Sequence, residues 1–130
     1  MARNTRTYSD FDLNFIANPA TKDIGMKYDE NAIKAAVRNL VLTQNFERPF
    51  HSEIGTQIYG LLFNPAGPML DTLLKRAITD VITTFEPRVV LLDVQVVSRL
   101  DNNAINVTII FRIVNTSAPV TLELILKRTR

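Results

Sequence analysis

The hydrophobic period of this chain changes at one point, and a proline forces the change. From Leu70 onward, Leu73, Leu74, Ala77, Ile78, Val81, Ile82 and Phe85 recur at helical spacing. From Val89 to the C-terminus the apolar residues recur at every second position instead. Between them lies Thr84-Phe85-Glu86-Pro87-Arg88. Pro87 disfavours the α conformation at Glu86 and has no N–H for a helical ladder, so the helix has to stop there. Glu86 and Arg88 then set opposite charges on either side of a change of direction. The plain reading of this joint is a helix stop with a local ion pair; the functional reading is a contact point for a partner.

The two sides of the joint define the fold class. Pro68 suits the first turn of a helix, where its missing N–H is not needed, so one long helix is expected at about 67–86. Asp71 with Lys75, and Arg76 with Asp80, stand four apart on its polar side and contribute about 0.2–0.5 kcal/mol per pair. The apolar stripe dominates, at roughly 1.5–3 kcal/mol per fully buried large side chain. Beyond the joint, Val90, Leu92, Val94 and Val96 are expected to face the core, against Leu91, Asp93 and Gln95. Leu100-Asp101-Asn102-Asn103 reads as a hairpin turn, because Asp and Asn tolerate left-handed backbone. Ile105, Val107, Ile109, Phe111 and Ile113 form the next apolar face. Asn115-Thr116-Ser117-Ala118-Pro119 turns again, and Val120, Leu122, Leu124 and Leu126 form the third. The expected fold is α+β: two to three helices packed on a C-terminal three-stranded antiparallel sheet.

The first part of the chain is less patterned. Residues 1–27 show no sustained period and read as an arm, with 28–130 as a single α+β domain. Tyr8, Phe11 and Phe15 are more aromatic than a linker requires, so the arm is expected to dock on its own domain or on a partner. Asp29 is placed as the N-cap of a first helix whose buried face carries Ile33, Val37, Leu40 and Val41. That helix should end near Thr43-Gln44-Asn45. Pro49 and Gly55 mark the following stretch as a loop, and Ile58 to Phe63 reads as a brief helix or turn.

Composition narrows the function classes. The 130 residues carry 15 Lys and Arg against 13 Asp and Glu, a net charge of +2 that gives no nucleic-acid footprint by itself. The basic end, Lys127-Arg128-Thr129-Arg130, lacks the interleaved aromatics of a single-strand binder. Cysteine is absent, which removes disulfides, thiolate nucleophiles and Cys-ligated metals. No apolar run reaches membrane-spanning length. His51 is the one histidine, and Ser52 and Glu53 are merely its neighbours in sequence, a poor basis for a triad. Glu47, Glu53 and Glu86 can be nominated for a glycosidase carboxylate pair, but any domain with this many acids supplies such pairs. No phosphate loop, dinucleotide fingerprint or zinc spacing occurs, so no cofactor is expected.

Interaction is the better-supported class. Three strands leave two sheet edges, and the last strand is plain, with no internal Pro or Gly. Leu91, Val97, Ile110, Val114 and Ile125 make the second sheet face more apolar than solvent requires. An open edge beside a half-apolar face suits strand addition by a partner.

Several motifs, in order, carry a family likeness. They are Tyr8-Ser9-Asp10, Arg48-Pro49-Phe50, Glu53-Ile54-Gly55, Leu61-Leu62-Phe63-Asn64-Pro65, the helix after Pro68, and Glu86-Pro87-Arg88 leading into Val89. With these the chain resembles the small lysozyme-like baseplate wedge proteins of contractile-tailed phages, typified by the sheath initiator of the T-even phages. Counterparts occur in pyocins, extracellular contractile injection systems and type VI secretion baseplates. The resemblance implies a structural subunit of the virion tail baseplate, assembled in the host cytoplasm and present in sixfold copies. Its implied partners are baseplate wedge clamp proteins on the helical part and the tail sheath protein on the terminal strands, with no nucleic acid, membrane or cofactor. The contact residues it nominates are Glu86, Pro87, Arg88, Arg48 and Phe50 for the wedge, and Thr121, Glu123 and Ile125 for the sheath. Despite the family's name, no residue set here licenses hydrolysis.

Overall fold

The long helix forms where the apolar stripe requires it. In a computed structural model, which describes residues 7–127, it runs Pro68–Phe85 with Pro68 in its first turn. The chain clusters into two compact units, Met1–Ala36 and Val37–Arg130.

In the first unit, strand β1 (Ser9–Phe11) pairs antiparallel with β2 (Met26–Tyr28), Phe11 opposite Met26. An isolated bridge between Ala17 and Ile24 extends this hairpin, and Asn18 accepts the Lys22 N–H at its tip. The arm is therefore built by cross-strand pairing, although its sequence shows no alternation. Phe11 and Phe15 are exposed, while Tyr8 is half-buried. Arg3 and Arg6 lie outside the described residues.

Asp29 opens helix α1 (Asp29–Leu42), but not as the cap expected of it. Its φ is +46°, and its Oδ1 accepts the N–H groups of Thr7 and Tyr8 at 2.8 and 3.1 Å. Its own N–H donates to the Tyr8 carbonyl at 2.8 Å. The carboxylate thus secures the start of the hairpin rather than the first turn of its helix. Asp tolerates the left-handed region better than most residues, which permits the sharp entry.

The second unit holds the end of α1, α2 (Ile58–Leu61), α3 (Pro68–Phe85) and a sheet of order β3-β4-β5. The strands are β3 (Val89–Arg99), β4 (Ala104–Ile113) and β5 (Pro119–Lys127), both pairs antiparallel. A single 3-10 turn, Leu100–Asn102, then Asn103 at φ +48°, joins β3 to β4; Asn115 at φ +70° serves the next turn. Leu70, Leu74, Ile78, Val81 and Ile82 are buried on α3, and Ile105, Val107, Ile109, Phe111 and Ile113 on β4. The expected α+β architecture is what forms.

Two further local expectations fail. The i,i+4 pair Asp71–Lys75 does not form, because both residues turn to β3: Ser98 Oγ donates to Asp71 Oδ1 at 2.8 Å, and Lys75 Nζ approaches Asp93 Oδ1 at 3.3 Å. Arg76 and Asp80 do approach, to 3.9 Å in open solvent. The second failure is the phase of β3. A bulge between Leu91 and Asp93 sets Leu92 as an extra residue against β4, and the face alternation slips by one. Val89, Leu91, Val94 and Val96 point inward, whereas Val90 and Leu92, expected in the core, are exposed.

Candidate functional site

Three surfaces of the second unit carry the nominated contact residues. The first is the joint. The Glu86 N–H closes the last turn of α3 on the Ile82 carbonyl at 3.0 Å, and Pro87 prevents another. Arg88 folds back on Glu86 as a two-pronged clamp, Nε to Oε1 at 2.6 Å and Nη2 to Oε2 at 2.9 Å. Glu86 is 6% exposed and Pro87 is exposed. The Arg88 carbonyl accepts the Val114 N–H at 2.9 Å, tying the joint to the far end of β4. The pair joins helix end, strand start and sheet corner in one arrangement. Beside it an open groove of about 580 Å3 runs between α3 (Lys75, Thr79, Thr83) and the β3 edge, with Glu86 and Pro87 in its wall.

Replacing one oxygen of a buried, forked carboxylate with an amide nitrogen removes one of its two hydrogen bonds and the charge that strengthens the other. In a double-mutant cycle of Glu86→Gln and Arg88→Gln, unfolding is expected to show a coupling energy of about 1–2 kcal/mol. A coupling near zero in urea melts would make the clamp incidental.

Arg48 and Phe50 sit on the loop of residues 43–57, apart from the joint in sequence and held by its own bonds. Gln44 and Thr56 form a parallel bridge, and Thr56 Oγ1 donates to the Val41 carbonyl at 3.0 Å. The Phe46 N–H reaches the Ser52 carbonyl at 3.0 Å, and Glu47 Oε2 accepts the Gln44 N–H at 2.8 Å. Phe46 and Phe50 take φ of +69° and +66°, a conformation that costs a bulky residue on the order of 1–3 kcal/mol. Both rings remain in solvent, Phe50 completely. Phe46 belongs to this display although no motif singled it out; two phenylalanines flanking Arg48-Pro49 were the available signal. In the same loop Asn45 Oδ1 is buried with no hydrogen-bond partner among the described residues.

Thr121, Glu123 and Ile125 lie on the outer face of β5, all exposed. Their backbone direction follows from the ladder. The Val114–Arg88 bond makes Val89 and Ile113 a non-bonded pair, and antiparallel pairs alternate. Carrying the alternation through the bulge and across β4 turns the N–H groups of Thr121, Glu123 and Ile125 toward the sheet edge. Val97, Asn106 and Ile125 form one row across this face.

The nominated carboxylates are each engaged. Glu47 holds the Gln44 N–H, Glu86 holds Arg88, and Glu53 lies 3.3 Å from His51 Nδ1 in solvent. The Glu53 carboxyl is held below its usual range, first by its own backbone N–H and then by His51. A glycosidase acid needs the opposite shift.

The model of the family described as baseplate wedge protein gp25 matches residues 27–118. The chain belongs to the gp25 baseplate wedge family. A gp25-family chain is a structural component of a contractile-tail baseplate. Baseplate wedge protein gp25 of Enterobacteria phage T4 is 27% identical over 115 residues, 88% of this chain and 86% of that one. A candidate tail lysozyme from Geobacter sulfurreducens shares the gp25 fold at a TM-score of 0.70 with 20% identity, over 75% of this chain and 89% of that one. A chain of the anti-feeding prophage baseplate, in a sixfold-symmetrised cryo-EM structure, matches at 0.66 with 16% identity, over 95% of this chain and 87% of that one.

Proposed function

We propose that this gp25-family subunit links its baseplate wedge to the first sheath ring and starts sheath assembly by accepting a strand along β5. The observation that carries the reading is the β5 edge: nine residues, without internal Pro or Gly, with Thr121, Glu123 and Ile125 presenting backbone outward. Each added main-chain hydrogen bond contributes about 0.5–1.5 kcal/mol net, so one strand binds moderately. A ring of linked strands gains far more through effective concentration. The wedge side is assigned to the Glu86-Pro87-Arg88 joint with Arg48 and Phe50, the contacts for the clamp proteins, in sixfold copies. Ile105–Val114 serves the core and takes no part in sheath binding.

Proline at position 121, 123 or 125 removes an outward donor while leaving the β4–β5 ladder its bonds, as edge strands permit. Thr121→Pro, Glu123→Pro and Ile125→Pro, made singly, are expected to give tails with intact baseplates and no ordered first sheath ring by electron microscopy. Normal rings on all three would sink the proposal.

A further inference from the structure

The two edges of the sheet are not equivalent. Along β3 two outward donors are engaged within the chain, one before the bulge and one just after it. The Val89 N–H reaches the Glu86 carbonyl at 3.4 Å, and the Val94 N–H donates to Asp93 Oδ1 at 2.8 Å. Asp93 is itself held in place, Oδ1 by Lys75 Nζ of α3 at 3.3 Å and Oδ2 by Gln95 Nε2 at 3.3 Å. The bulge beside it breaks the two-residue repeat that a second ladder would follow. On β5, Glu123 makes no matching bond to its own strand among the described residues.

We propose that Asp93 closes the β3 edge to strand addition, and that the strand it chiefly excludes is β5 of a second copy of this chain. The inference rests on reading β5 as the strand-accepting edge. A plain β5 on every copy is a standing match for any open edge on another. Pairing β5 of one copy with β3 of the next is heterologous, so it would propagate into rings or filaments before any baseplate formed. The Asp93 carboxylate prevents this in two ways. It takes the Val94 donor that an incoming carbonyl would need, and it sets a negative charge against that carbonyl's own negative end. Gln95 first, then Lys75 and the Val94 N–H, hold its carboxyl below the usual range, so the charge is present at neutral pH. Lys75 belongs to α3, so packing of helix on sheet adds a second hold on the carboxylate.

The absence of cysteine makes a trapping experiment clean. Val97 and Ile125 stand at opposite ends of one row, so Val97→Cys reports a strand added at β3 and Ile125→Cys one added at β5. The probe is a synthetic peptide copying residues 119–127 and carrying Glu123→Cys, offered to the full-length protein under mild oxidation. With Asp93 present, Val97→Cys is expected to trap the peptide slowly; adding Asp93→Ala should speed trapping about tenfold, the scale of one charge-assisted hydrogen bond. Equal rates with and without Asp93 would overturn the proposal. Failure of Ile125→Cys to trap the peptide would instead defeat the reading of β5 and leave the Val97 comparison standing. Amide exchange in the unsubstituted protein gives a second measure, independent of how variants fold. The Val94 amide should exchange more slowly than those of Thr121 and Glu123, and exchange as fast as theirs would also overturn the proposal.

Discussion

Gly55→Ala is expected to destabilise the second unit by about 3 kcal/mol or more, the largest effect of any single methyl in the chain. Gly55 has φ +142°, a conformation L-residues rarely adopt, and an added Cβ would lie 2.7 Å from the carbonyl carbon and oxygen of Gln44 and 2.9 Å from the Asn45 nitrogen. Backbone, not a flexible side chain, would have to move. The segments pressed together are the two ends of the 43–57 loop, joined by the Thr56–Thr43 and Asn45–Thr56 bonds at 2.8 and 3.1 Å. Denaturant melts measure the loss; less than about 1 kcal/mol would show that the loop relaxes at little cost. On the proposed wedge contact through Arg48 and Phe50, the same substitution should also weaken wedge attachment beyond what the stability loss explains.

Phe111→Ala should cost about 3–5 kcal/mol, the range for emptying a well-packed aromatic site. Phe111 has no exposed surface and stands between Leu91 and Val120 in the central strand. A pair of control substitutions tests the bulge in the same melts. Leu92→Ala should change stability by no more than about 0.5 kcal/mol, because its side chain is half in solvent. Leu91→Ala, on the inner side, should cost clearly more. A larger cost for Leu92→Ala than for Leu91→Ala would mean that the β3 phase is the regular one and that no bulge persists in solution.

Much of the architecture was legible because it rests on repeated local signals. The eight apolar positions from Leu70 to Phe85 agree with one another, so no single exception can move the helix. The faces of β4 and β5 alternate without a break and fold as they read. The family motifs also lie where the chain is most constrained: Gly55 in its close contact, Pro49 in the displayed loop, Glu86-Pro87-Arg88 at the joint. The arm was illegible for the opposite reason. Its hairpin is held by backbone pairing and by Asp29 acting across more than 20 residues, and neither leaves a period in the sequence.

The bulge marks the boundary between the two kinds of information. Val89-Val90-Leu91-Leu92 is apolar on both phases, so hydrophobicity gives no preference for which residues turn inward. Packing of α3 against β3 and pairing with β4 make that choice, and the same packing brings Lys75 to Asp93 instead of to Asp71. By itself the sequence determined where the helix stops, since Pro87 acts through its own ring and its missing donor whatever surrounds it. It also determined that Glu86 and Arg88 stand close enough to pair. Only the tertiary structure decided that the pair would be a two-pronged clamp on a buried carboxylate, and that the Val94 donor at one sheet edge would be taken by an Asp93 that α3 also holds. The pairs are local in sequence, but the burial of Glu86 and the approach of Lys75 to Asp93 exist only once the core has formed.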